Sequence, residues 1–242
     1  MKRGSLAGLV VMALGAGSLQ AADINSVSAL SQAQFRLLSE DLAAATSYKG
    51  LTPAEPLGIT GFDIGAELTD TSLENAAVMN IACGGCDEDH LIIPKIHLHK
   101  GLPMGFDVGL MYASTSNTNV SLTGLELRYA NIEGGMAMPA VATRLTWSQL
   151  DGVDEMDLET MGIEVSISKG FAMFTPYAGV GQNWVDVTPK GAAATAGLLA
   201  EDFEQTKYFV GLNFNLGFIN FDFEADKTGD AQTLGGKVGF RF

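Results

Sequence analysis

The sequence has no apolar run long enough to cross a bilayer as a helix. Beyond the first few residues no window approaches the ~20 apolar residues a helical span requires. Any membrane crossing therefore falls to strands, which in lipid must close into a barrel, because an open sheet edge leaves backbone groups unpaired. Basic residues are also scarce, with 14 Lys+Arg against 28 Asp+Glu and a formal net charge of −14. That balance excludes nucleic acid as a partner, since phosphate binding needs a basic face. Cysteine is limited to Cys83 and Cys86, and charged residues to 17%. What the chain does have is 29 glycines and 13 phenylalanines, a composition suited to short pleated strands and tight turns.

Met1-Lys2-Arg3 gives a positive start, residues 6–14 an apolar core, and residues 15–22 a small-residue stretch before Asp23. This pattern predicts a secretory signal peptide over residues 1–22, cut near Ala21 or Ala22. From residue 25 to 46 the apolar period is near 3.6, with Leu30, Leu37, Leu38, Leu42 and Ala45 on one side. We expect a helix over about 28–46, capped by Ser26 or Ser28, followed by a linker over 48–57 marked by Pro53 and Pro56. Residues 23–56 thus form an amino-terminal unit whose helix plugs a lumen, lies across the periplasmic mouth as a lid, or rests on the lipid interface. Its Arg36, Glu40 and Asp41 are not the Lys/Arg-rich face an interfacial helix carries, which favours plug or lid.

From residue 57 to 242 the period becomes two, and ten strands are predicted, with eight or twelve as alternatives. On the first, about 58–69, Phe62, Ile64, Ala66 and Leu68 oppose Asp63 and Glu67; on the second, 91–100, Ile92, Pro94, Ile96 and Leu98 oppose Lys95, His97 and His99. The third, 104–114, carries Phe106, Val108, Leu110 and Tyr112 on its apolar face. The fourth, 120–130, sets Leu125, Leu127 and Tyr129 against Glu126 and Arg128, and the fifth, 139–149, sets Leu145 and Trp147 against Arg144. The sixth, 158–169, opposes Ile163 and Val165 to Glu164; the seventh, 172–186, carries Trp184; the eighth, 205–216, opposes Tyr208 and Val210 to Lys207 and Asn213. The ninth, 218–226, sets Phe221 and Phe223 against Asn220, Asp222, Glu224 and Asp226, and the tenth, 233–242, sets Val238, Phe240 and Phe242 against Lys237 and Arg241. Pro94 and Pro176 fall inside strands and mark bulges or strand ends.

Predicted links after even-numbered strands are short, and those after odd-numbered strands are mostly long and polar, notably 70–90 and 187–204. This alternation is the rim asymmetry of an outer-membrane barrel, with both termini on the short-turn, periplasmic side. Two aromatic belts follow from the same assignment: Tyr112, Trp147, Trp184 and Tyr208 near one rim, and Tyr129, Phe171, Phe218 and Phe242 near the other. A soluble β-sandwich or lipocalin-like barrel explains the alternation equally well. It does not explain the signal peptide, the belts and an aromatic carboxyl terminus together.

The ending itself, with aromatics at the last and third-last positions (Phe242 and Phe240), resembles the closing strand of bacterial outer-membrane β-barrels; Lys237 stands where that family usually has glycine. The resemblance covers about residues 57–242. It implies an all-β, closed antiparallel transmembrane barrel in the outer membrane, handled by the barrel-assembly machinery through its last strand.

Cys83-Gly84-Gly85-Cys86 sits in the first long link. A disulfide closing a very small ring, a metal site drawing on Asp87, Asp89 or His90, and a redox dithiol are the three readings of this motif. His97 and His99, two apart on a strand, point the same way as Lys95. They belong to an ion-pair network inside the barrel, to a metal site, or to an acid–base pair. The lumen lining is thus predicted as Asp63, Glu67, Lys95, His97, His99, Glu126, Arg128, Arg144, Glu164, Asp222, Glu224, Lys237 and Arg241. Acidic residues in the long links, among them Asp87, Glu88, Asp89, Asp151, Asp154, Glu155, Asp157, Glu201 and Asp202, are a solvated surface or hold divalent cations against lipopolysaccharide phosphates.

No cofactor motif is present. Ten strands leave little room inside, so a wide general porin is disfavoured. The leading expectation is a narrow or gated channel for small solutes. A non-conducting structural or surface-interaction barrel working through links 70–90 and 187–204 is the alternative, and an outer-membrane lipid- or peptide-modifying enzyme the third.

Overall fold

The computed structural model describes residues 24–114 and 120–242; the expected signal peptide lies outside the described residues. Ten antiparallel strands close into a barrel: β1 (Phe62–Ser72), β2 (His90–Gly101), β3 (Phe106–Ser114), β4 (Ser121–Ile132), β5 (Ala140–Asp151), β6 (Met156–Ser168), β7 (Phe174–Pro189), β8 (Glu201–Leu216), β9 (Ile219–Thr228) and β10 (Ala231–Arg241). Each strand pairs with its sequence neighbours, and β1 closes on β10 from Asp63↔Arg241 to Ser72↔Gln232. Closure gives each strand a partner on both sides, which is the condition for a sheet with an apolar exterior.

Both prolines sit where one ladder has run out. Pro94 pairs with Leu68 of β1, whereas the β2–β3 ladder begins only at Ile96↔Tyr112. Pro176 pairs with Leu212 of β8, just past the end of the β6–β7 ladder at Ser168↔Tyr177. A residue without an N–H is tolerated at such places. The register irregularity lies elsewhere, between Ala130 and Ile132. The β9–β10 link is a tight turn at Gly229 (φ 58°) and Asp230 rather than a long loop.

Strands β6, β7 and β8 are longer than their alternation predicts, for a physical reason. In β6 the inward positions Glu164, Ser166 and Ser168 are polar, but further along the same face stand Met156 and Leu158. The outward positions reverse in the opposite sense, from exposed Met161, Ile163, Val165 and Ile167 to Asp157 and Glu159. Similarly, Val185, Val187 and Phe203 point inward while Asp186, Asp202 and Glu204 point outward. Along β6 to β8 the barrel is polar inside and apolar outside over its short-turn half, and apolar inside and polar outside over its long-link half.

Helix α1 (Gln32–Thr46) caps the apolar half. It starts at Ser31, not at Ser26 or Ser28: Ser31 and Gln34 form a capping box, which satisfies two orphan amides at once. Residues 27–29 make a 3₁₀ turn ahead of it. Phe35, Leu38 and Leu42 carry the buried face, and Leu37, expected there, is 36% exposed. They pack with Met79 of α2 (Ala76–Ala82), Ala193 of α3 (Gly191–Thr195), Val153, Leu158, Val187 and Phe203 in one apolar core. The first described residues therefore lie at the long-link rim, where the Ser26 N–H donates to the Ala82 carbonyl at 2.8 Å. Phe242 lies at the other rim, its carbonyl accepting from Phe62 at 2.8 Å. Between these two places residues 47–57 carry the chain through the barrel.

Candidate functional site

The lumen is filled by the chain's own residues 47–57, the stretch expected to be only a linker. At its entrance the Tyr48 hydroxyl meets His99 Nε2 at 3.2 Å. Room for the ring comes from glycines on two wall strands: a Cβ on Gly109 would lie 2.6 Å from the Tyr48 oxygen, and one on Gly124 2.8 Å from the ring. Next, Lys49 Nζ donates to both carboxylate oxygens of Asp226 at 2.9 Å. Gly50 follows because the Arg144 guanidinium lies against its backbone; a Cβ there would come within 2.5 Å of Cζ.

Further along, the wall's cations hold the backbone of the segment. Lys207 donates to the Tyr48 carbonyl at 3.2 Å and Lys237 to the Leu51 carbonyl at 2.9 Å. Leu51 is kept at φ 41°, a left-handed conformation a branched side chain rarely adopts without tertiary restraint. Arg128 donates to the Thr52 hydroxyl and the Pro53 carbonyl, both at 2.7 Å, and Arg144 to the Thr52 hydroxyl at 3.1 Å. Ala54 N–H donates to Ser168 Oγ at 3.1 Å, and Leu57 N–H to Asp107 at 3.1 Å. These bonds answer the requirement that backbone groups buried away from water find partners.

Every predicted lumen residue points inward. One series of polar contacts runs from Lys95–Glu67 (3.1 Å) and Glu67–His97 (2.6 Å), across the stacked rings of His97 and His99 (5.6 Å), to His99–Glu126 (3.8 Å), Glu126–Arg144 (3.0 Å), Arg144–Glu164 (2.8 Å) and Glu164–Lys207 (2.7 Å). A second group joins Asp63 to Arg241 (2.7 Å) and Lys237 (3.7 Å), and Lys237 to Asp222 (3.2 Å). Arg128 pairs with Asp107 at 2.8 Å. Glu224 is buried beside these groups, with one carboxylate oxygen that makes no direct hydrogen bond. Pairing of this kind is what makes charges tolerable in a dry interior.

Asp226, in the acidic stripe of the ninth strand, takes its place on the inner wall beside Lys49. Lys49, Asp107 and Lys207 are equal members that the sequence did not single out: the last two share the polar face of their strands, which was the available signal, and Lys49 lies in a segment with no periodicity. His97 and His99 are both 0% exposed, so a substrate reaches neither imidazole while Tyr48 is in place. Among the described residues no group of three or more His, Cys, Asp or Glu has the geometry of a metal site. Cys83 and Cys86 form a disulfide.

The predicted belt aromatics all lie on the barrel's outer face. Trp147 and Trp184 donate their indole N–H groups to Glu159 (2.7 Å) and Glu204 (3.2 Å), carboxylates on the polar side of the reversal. At the other rim the pairs Phe106–Tyr129 (4.7 Å), Phe171–Phe174, Phe218–Phe240 and Phe62–Phe242 (each 5.7 Å) line up outside. Residues 174 to 184 of β7 connect the two levels. Ten steps of about 3.3 Å on a strand tilted by about 40° span about 25 Å, the height of an outer-membrane barrel's apolar band.

No family model matches the chain, and no curated protein matches it. Among solved structures it is similar to Neisserial surface protein A (8% identity, covering 74% of this chain and 95% of that one, TM-score 0.33). It is also similar to the outer membrane protein OprG of Pseudomonas aeruginosa (11%, 79% and 99%, 0.34). A third likeness is to the KdgM porin in complex with disordered oligogalacturonate (9%, 76% and 99%, 0.36). The fold is a closed ten-stranded antiparallel barrel. That statement rests on the continuous ladder of this chain, from β1 round to β10.

Proposed function

We propose that the chain is an integral outer-membrane barrel shut along its axis by its own residues 47–57, and that it does not conduct in this state. The observation that carries this reading is the threading of those residues through the lumen, with the Tyr48, Leu51 and Pro53 carbonyls held by Lys207, Lys237 and Arg128 of the wall and the Lys49 ammonium held by Asp226. Membrane placement is supported by the apolar outer band between two aromatic levels. In this placement the outward carboxylates of Asp186, Asp202 and Glu204 stand at headgroup height, where divalent cations bridge them to lipopolysaccharide phosphates.

Planar-bilayer recording of the full chain tests the reading. We expect no sustained current, and steady single-channel steps from the unmodified protein would overturn it. A gated narrow channel is the second reading, favoured because the occluding segment is held by side-chain bonds and not by a sheet ladder. Current from Lys49→Ala, absent from the parent protein, would favour this second reading.

A further inference from the structure

The wall of the barrel parts between β2 and β3. The β3–β4 ladder continues to Ser114↔Ser121 and the β1–β2 ladder to Ser72↔His90, but β2 and β3 pair only as far as Ile96↔Tyr112. Pro94, which has no N–H to offer, stands opposite the place where Ser114 of β3 would have paired. A cavity of about 90 Å³ occupies this parting. Its lining mixes the two faces of one strand: Ile93, inward, and Ile92, outward and 53% exposed, both border it. Successive residues of a strand face opposite sides of a sheet, so a cavity touching both passes through the wall.

The inner end is closed by Leu42 and Thr46 of α1, by Leu150 near the end of β5 and by Val153 beyond it, and the lining is apolar apart from Thr46, Ser114 and Ser121. The slot is thus a blind apolar recess that opens on the outer face one rung beyond Tyr112. In a membrane that level is the boundary between headgroups and hydrocarbon, where tyrosine is enriched. What bathes the mouth is lipid, and what an apolar recess of one-strand width admits from lipid is a single hydrocarbon chain.

We propose that the β2–β3 slot is a binding site for an acyl chain of an outer-leaflet lipid, which enters sideways through the wall and ends against the cap helix. This rests on the membrane placement above, and the experiment separates the two. The full chain is reconstituted in vesicles of phosphatidylcholine carrying a diazirine at the end of one acyl chain, irradiated, and mapped by peptide mass spectrometry. We expect label on Leu42, Leu150 or Val153 in addition to the outward residues Ile92, Ile96 and Tyr112.

Ala113→Phe, which fills the slot, should lower the inner label at least tenfold and leave the outer label. Ser114→Trp, outward at the mouth, gives the same readout if Ala113→Phe does not fold by heat-modifiable mobility. Label confined to the outward residues, or inner label that survives both substitutions, would overturn the proposal. Inner label from a diazirine fatty acid but not from the phospholipid would overturn the assignment to a bilayer lipid. No label at any position, the outward ones included, would overturn the membrane placement itself.

Discussion

Above and below the level of Trp147 and Trp184, the same strands obey opposite rules. Toward the short turns, β6 puts Glu164 inside and Ile163 outside; toward the long links it puts Leu158 inside and Glu159 outside. Backbone geometry and register are continuous across the change. What differs is the solvent each face is built for: an apolar exterior with paired charges within, or water outside and an apolar core beneath a cap. The comparison teaches that β-alternation fixes only which residues share a face. The surroundings decide which face is which.

The largest effect should come from breaking the charged half. Arg144 touches Glu126, Glu164 and Thr52, so Arg144→Leu takes the nearest cation from buried Glu126 and leaves Glu164 with Lys207 alone, and should cost about 3–5 kcal/mol. Urea unfolding in detergent, followed by tryptophan fluorescence, measures it; a cost below about 1 kcal/mol would mean that water solvates those carboxylates. In the apolar half, Leu38→Ala should cost about 2–5 kcal/mol but act locally. Hydrogen exchange should quicken over residues 32–46 while the amides of the β4–β6 ladders keep their protection. If the ladders loosen equally, the two halves are one cooperative unit.

Gly124→Leu tests how the halves are joined, because it places a side chain where Tyr48 lies against the wall. Overpacking of this kind costs about 1–3 kcal/mol. The measurable sign is faster exchange of residues 47–57 with α1 still protected.

The smallest effect concerns pH. Burial pushes the Asp41 carboxyl above the ordinary carboxylate range, although it accepts the N–H groups of Asn75 and Glu74. An acid that holds its proton more tightly in the docked state stabilises docking at low pH. That contribution is lost as pH rises from the usual aspartate range through the raised value, and nothing changes above it. The protection factors of α1 should rise on acidification across this window, and Asp41→Asn should flatten the dependence. An unchanged slope in Asp41→Asn would assign the titration to another group.

Much of this was legible from the residues. Period-two patterning located all ten strands and put Glu67, Arg144, Glu164 and Lys237 on the polar face of theirs, since the alternation of side chains along a strand is a local property. The ends of β6, β7 and β8 were hidden for the same local reason: at Val185, Val187 and Phe203 the apolar residues change faces, which in sequence looks like a strand ending. The start of α1 is written in the spacing of Ser31 and Gln34, a capping box that the expectation of Ser26 or Ser28 overlooked.

By itself, then, the sequence determined the strands, their faces and the even number that lets a barrel close, all consequences of near-neighbour geometry. Only the tertiary structure decided that residues 47–57 run through the lumen and that β2 and β3 part beside Pro94. The segment has no periodicity, and its partners, from Thr52–Arg128 to Lys49–Asp226, lie far away in the chain. Such contacts exist only once the wall has closed around it.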